Sequence, residues 1–157
     1  MNYLFHKKCV YLAQDSNSFA ERQQLVLKTN TLNIKLVGEV IYGNGLGRTL
    51  GFPTANLHAS EEVAEITSGV YAAVATVDNI PHPAVVNIGR SPSVVENGAV
   101  RIEAHLLDFE GNLYGRTLEV ELLHFLRPEQ KFASREALCE QIAKDCTQTR
   151  KLLTVVG

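Results

Sequence analysis

The chain has no excess of positive charge. Its 15 Lys and Arg are outnumbered by 17 Asp and Glu, for a formal net charge of −2. Proteins that grip nucleic acid by its phosphates usually concentrate positive charge, so no nucleic-acid partner is expected. Cysteine is scarce. Cys9, Cys139 and Cys146 are odd in number and widely spaced, which excludes a disulfide framework. With no C-x-x-C pair there is also no zinc signature. Reduced thiols in a cytoplasmic protein are the expectation. No apolar window approaches a membrane span. Lys7 and Lys8 interrupt an N-terminal apolar stretch already too short for a signal peptide, so no membrane partner is expected either. Tryptophan is absent, methionine occurs once and aromatics make up 7%. There is no internal repeat and no low-complexity segment.

What is present is a core. At 157 residues, 45% of them hydrophobic, the chain can bury one domain's interior without metal or disulfide. Residues 1–33 read as an appendage, polar in the middle. Ser18-Phe19-Ala20-Glu21 has capping-box form, which predicts a short helix over Phe19–Leu27. From Ile34 the pattern turns to period two. Ile34, Leu36, Gly38, Val40 and Tyr42 alternate with Lys35, Val37, Glu39 and Ile41. Val70–Val77, Ala84–Ile88, Ala99–Leu107 and Thr117–Phe125 read as further strands, with turn signals at Asp78-Asn79 and Glu110-Gly111-Asn112. The end turns helical. Ser134 can cap, and Leu138, Ile142, Cys146, Thr149 and Leu153 form one stripe. Strands followed by one helix exclude an alternating βαβ fold and predict a mainly β sandwich or barrel carrying a C-terminal helix.

The eleven glycines are ordinary in number but not in placement. Gly43, Gly45, Gly47 and Gly51 fall within nine residues, beside Arg48 and just before Pro53-Thr54-Ala55-Asn56. Such a run can bring backbone N–H groups and an Arg fork close to phosphate. It is neither a P-loop nor a dinucleotide fingerprint, and on the glycines alone a flexible turn between two strands is the expected reading. Thr54 and Asn56 offer hard oxygens suited to Mg²⁺. They equally suit a proline-initiated turn with Asn56 bonding its own backbone. Glu103 shares a strand face with Arg101 and His105, either as a solvent-facing residue paired with Arg101 or as a general base. Arg127 and Phe132 lie in a Pro-containing connector. They read either as linker residues, with Phe132 in the core, or as a cation and an aromatic face for a planar ligand.

Taken together, the segments resemble the riboflavin kinase (flavokinase) family, including the kinase module of bacterial bifunctional FAD synthetases. The match runs from about Leu36 to Leu152. It comprises Gly43–Asn56, Gly69-Val70-Tyr71-Ala72, Asn87-Ile88-Gly89 through Pro92, Glu103–Phe109, Leu113-Tyr114-Gly115, Leu126–Phe132, Gln141-Ile142 and Asp145, in one order. The resemblance implies a six-stranded antiparallel Greek-key barrel with a C-terminal helix. It implies transfer of the ATP γ-phosphoryl to the ribityl 5′-hydroxyl of riboflavin, giving FMN and ADP.

By position, Gly43, Gly45, Gly47 and Arg48 would cover the ATP phosphates. Thr54 and Asn56 would hold Mg²⁺ and phosphate, Glu103 would be the base, and Arg127 and Phe132 would lie by the flavin. Two positions depart from the family. Ser93 stands where Thr is usual, and Asn112 where Asp is frequent. The first 33 residues do not resemble an adenylyltransferase module, so FMN rather than FAD is the expected product. A monomer or weak oligomer is expected. Two other readings are a flavin reductase-like barrel and a non-catalytic flavin-binding module.

Overall fold

The computed structural model describes residues 9–12, 32–43, 45–58, 63, 65–90 and 100–154. The strands are β1 (Cys9–Leu12), β2 (Ile34–Ile41), β3 (Ala55–His58), β4 (Gly69–Val77), β5 (Ile80–Arg90), β6 (Val100–Leu106) and β7 (Thr117–Arg127). A helical turn, α1 (Leu46–Thr49), and a long helix, α2 (Arg135–Thr154), complete the described elements. All strand pairings are antiparallel. The order β2-β3-β6-β5-β4-β7 closes through β7 back onto β2, making a six-stranded barrel. Strands β4, β5 and β6 form a meander, and β7 returns beside β4, which is a Greek key. β1 pairs with Lys35–Gly38 on the edge of β2 whose later residues, Val40 and Ile41, pair with β3.

Alternation of side chains explains how the barrel fills. Leu36, Val86, Ile88, Ile102, Val120 and Leu122 point inward and are almost wholly buried. Each such side chain contributes about 1.5–3 kcal/mol by leaving water. β4 is buried on both faces because α2 covers part of its outside. There Val70, Val85 and Leu107 form a second, small core against Leu126 and Cys146. The Ala137 N–H donates to Ser134 Oγ at 3.1 Å, which is the expected cap.

Four sequence expectations change. Cys9–Leu12, within the supposed appendage, is a strand; the helix expected over Phe19–Leu27 lies outside the described residues. Tyr42 does not continue the buried face of β2; it is 79% exposed and stacks on Tyr114 with ring centroids 4.1 Å apart. β5 runs from Ile80, well before the expected Ala84, although it includes Pro81 and Pro83. Those prolines sit where β5 outruns its pairing with β6, which starts at Ala84, so one edge needs no N–H there. The hairpin before it turns on Asp78 and Asn79, both at positive φ, as a two-residue primed turn requires. Finally, Ala55–His58 is a strand rather than a turn.

Candidate active site

The register aligns the chemistry-bearing residues. Asn56 on β3 lies opposite Glu103 on β6. Glu103 lies opposite Asn87 on β5, Asn87 opposite Val70 on β4, and Val70 opposite Arg127 on β7. One row therefore crosses five strands on the outer face of the barrel, since the inward positions flanking it are Ala55, Leu57, Ile102 and Ala104. Residues facing one another across antiparallel strands have Cα atoms roughly 4.5–5.5 Å apart. Asn56, Glu103 and Asn87 are thus immediate neighbours, half-buried beneath the segment that precedes β3.

Two cavities meet at Thr54, and only one of them is walled by residues of this row. One, of about 380 Å³, lies between the barrel and α2; Glu103, His105, Asn87, Arg127, Phe132 and Asp145 are among its walls. The other, of about 430 Å³, is bordered by Arg48, Phe109, Asn112 and Tyr114. Thr54 lines both. The Thr54 hydroxyl and the Glu103 carboxylate therefore line the first cavity, with Asn56 beside them as the cross-strand partner of Glu103.

The glycine-rich segment packs directly on these side chains. A Cβ on Gly43 would overlap the Asn56 amide, and one on Gly47 would lie 2.5 Å from the Phe52 carbonyl oxygen and 3.3 Å from Thr54 Oγ1. The need for glycine here is close approach. Gly47→Ala is expected to destabilise the protein by about 1–3 kcal/mol through loop displacement, the usual range for overpacking; a thermal melt identical to that of the unaltered protein would contradict this. The segment also contains α1, which the sequence did not announce. The N–H groups of Thr49, Leu50, Gly51 and Phe52 bond to carbonyls of Gly45, Gly47 and Arg48, so these four donors are already engaged.

Arg127 is placed differently from the expectation of a free cation. Its Nη2 donates to Asp145 Oδ2 at 2.8 Å and its Nε to Oδ1 at 3.1 Å, while Gln141 Nε2 donates to the same Oδ1 at 3.0 Å. Its guanidinium also lies 5.7 Å from the Phe132 ring centroid. The cation therefore ties β7, α2 and the Phe132 connector together. Phe132 is half-buried in the cavity wall rather than in the core. Among the described residues no ion pair joins Glu103 to Arg101. Burial and the neighbouring Asp145 carboxylate push the Cys146 thiol up, so it stays protonated and unreactive. The Asn112 side-chain oxygen accepts the Tyr114 N–H at 3.0 Å, a turn that an Asp would make equally well. Ser93 lies outside the described residues.

Sequence reasoning missed Asn87, His105 and Asp145 as site residues. Asn87 Oδ1 is buried without a hydrogen-bond partner in the structure, beside Glu103. Outward alternation from Ile88 was the available signal.

A closed six-stranded barrel with a carboxylate, an Asn and a Thr clustered on its outside, under a glycine-rich strap, defines the flavokinase class of fold. A family model described as riboflavin kinase matches residues 30–153. The RNA-binding riboflavin kinase RibR of Bacillus subtilis is 39% identical over 122 residues, covering 78% of this chain and 52% of that protein. The bifunctional riboflavin kinase/FMN adenylyltransferase of Pseudomonas fluorescens is 42% identical over 118 residues, covering 75% and 38%. The crystal structure of riboflavin kinase from Trypanosoma brucei superposes with a TM-score of 0.59 at 25% identity, covering 76% and 79%. The chain belongs to the riboflavin kinase family. It spans about half the length, or less, of these two curated relatives.

Family membership removes the flavin reductase alternative. It also corrects one exclusion. A relative of this similarity is RNA-binding, so the absence of a nucleic-acid partner does not follow from the net charge. Net charge averages over the whole surface, whereas binding responds to local fields; here Lys144 and Lys151 share one exposed face of α2. Among the described residues no helix is long and apolar enough to cross a membrane.

Proposed function

We propose that the chain transfers the γ-phosphoryl of ATP to the ribityl 5′-hydroxyl of riboflavin. The observation that carries this reading is the position of Thr54 on the wall shared by two cavities, beside the Asn56–Glu103 pair. The Arg48 and Tyr114 cavity takes the nucleotide, with Arg48 on its wall and Gly43, Gly45 and Gly47 in the same strap, where Gly47 itself borders the other cavity. The Arg127 and Phe132 cavity takes the flavin. The substrate hydroxyl oxygen bonds to the γ-phosphorus, the bond to the ADP oxygen breaks, and the hydroxyl proton passes to Glu103. Phosphoryl transfer asks chiefly for such positioning and for charge neutralisation.

The donor set suits Mg²⁺. Among the described residues no cluster of three His, Cys, Asp or Glu is placed to hold a metal, but Thr54 Oγ1 and the Asn56 side-chain oxygen are hard donors. A cation that keeps its waters and shares phosphate oxygens needs no more from the protein. When bound it would neutralise phosphate charge. Thr54→Ala is expected to weaken Mg·ATP binding roughly tenfold or more, about 1.4 kcal/mol, with riboflavin binding less affected although Thr54 lines both cavities. Equal nucleotide affinity in a calorimetric titration would remove Thr54 from this role.

The decisive test incubates the protein with riboflavin and Mg·ATP and separates the flavins by chromatography. FMN with equimolar ADP is expected. Bound riboflavin without ADP would establish a non-catalytic module, and FAD would overturn the single activity. A cytoplasmic setting, where ATP is abundant, is part of the same proposal.

A further inference from the structure

We propose that His105 is a positioning residue that sets Thr54 relative to Glu103 through the Pro53 carbonyl. The inference rests on the kinase reading above. His105 Nδ1 lies 2.8 Å from the Pro53 carbonyl oxygen. A carbonyl only accepts, so Nδ1 carries the proton and the ring donates. The peptide unit is planar. Holding the Pro53 oxygen therefore fixes the plane that also contains the Thr54 nitrogen and Cα, and so the direction in which Thr54 leaves it.

A second contact acts at the same point. The Phe52 ring meets the His105 ring edge-on, with centroids 5.6 Å apart and planes at 83°. The strap behind Phe52 is closed on itself, since the Phe52 N–H donates to the Gly47 carbonyl at 2.7 Å. The segment from Gly47 to Thr54 thus behaves as one unit, latched to the barrel at Phe52 and Pro53.

The latch sits on the strand that bears the base. His105 follows Glu103 by two residues on the same outward face of β6. β6 is held on both edges, by β3 and β5, so the Glu103 and His105 backbones move together. The nucleotide-side ligand Thr54 is thereby referenced to the base through one hydrogen bond and one ring contact. A lost neutral hydrogen bond corresponds to roughly a 3- to 10-fold change in an equilibrium, and that sets the size of the effect sought.

Two substitutions separate the donor from the ring. His105→Phe keeps the ring against Phe52 and removes the donor. His105→Asn removes the ring but places an amide N–H where Nδ1–H was. For His105→Phe we expect the KM for ATP and the Kd for Mg·ADP to rise about 3- to 10-fold; His105 also lines the flavin cavity, so riboflavin affinity is expected to change in both variants and does not distinguish them. His105→Asn is expected to restore nucleotide affinity to within about twofold. Nitrogen-edited NMR of the unaltered ring at mildly alkaline pH is expected to show the Nδ1–H tautomer.

An Nε2–H tautomer would overturn the latch. So would unchanged nucleotide binding in His105→Phe, or an Asn variant whose nucleotide affinity is as impaired as that of the Phe variant. Failure of the unaltered protein to make FMN would instead sink the kinase reading, while the tautomer and Mg·ADP binding still decide the latch.

Discussion

Replacing Glu103 by Gln is expected to lower kcat by roughly 10²–10⁴-fold, the span that removal of a general base typically produces. Gln has nearly the same shape and keeps a hydrogen-bonding oxygen, but it cannot take the hydroxyl proton. KM for both substrates should stay within a few-fold, because the near-isosteric Gln keeps the shape of the cavity wall that Glu103 forms. The position of Glu103 supports so specific a loss. It faces outward from a strand paired on both sides, with Asn56 and Asn87 as its cross-strand neighbours. Steady-state rates of FMN formation check it. A Gln variant with near-full turnover would transfer the proton to another acceptor and reduce Glu103 to a wall residue.

Why Glu103 could be singled out in the sequence, and Asn87 could not, has a physical answer. β6 alternates cleanly. Val100, Ile102, Ala104 and Leu106 face the interior, and Arg101, Glu103 and His105 face out, as period two requires. α2 was equally plain, since its stripe and Ser134 cap are local signals. β3 was not. Its four residues follow Pro53 and include Asn56, which locally favours a turn; only pairing with β6 makes them a strand, and strand formation depends heavily on such partners. β5 was clipped because Pro81 and Pro83 argue against a strand unless one knows where its neighbour ends. The site followed the same division. Thr54, Asn56 and Glu103 were legible as motif residues. That Asn56, Glu103, Asn87, Val70 and Arg127 form one row is a matter of register, which no single stretch of sequence contains.

Arg127 shows the same limit from the other side. The sequence offers a cation beside an aromatic and suggests a ligand contact. The carboxylate that occupies it is 18 residues further on, one turn after Gln141 on α2. From that distance a partner is invisible to local reasoning, yet it changes what the cation is for. Much of the guanidinium's hydrogen-bonding capacity is spent on Asp145 and the Pro128 carbonyl, and its influence on the cavity between the barrel and α2 runs through Phe132 and through the seat of α2.

Asp145→Ala is therefore expected to be the most destabilising single change in the site. The Asp145 side chain is 2% exposed and that of Arg127 16%, so truncation leaves a largely buried guanidinium without its counter-charge. Breaking a buried pair from one side costs about 3–5 kcal/mol, which for a domain of this size lowers Tm by roughly 6–20 °C. Arg127→Met strands the carboxylate instead and should cost a similar amount. Removing both charges, as Arg127→Met with Asp145→Leu, should recover most of the loss, because the penalty lies in the unpaired charge rather than in a large net gain from the pair. Thermal melts of the three variants test this directly. Single variants within 1 kcal/mol of the unaltered protein, or a double variant no better than the worse single, would mean that α2 is held by the Val70, Val85 and Leu107 core alone.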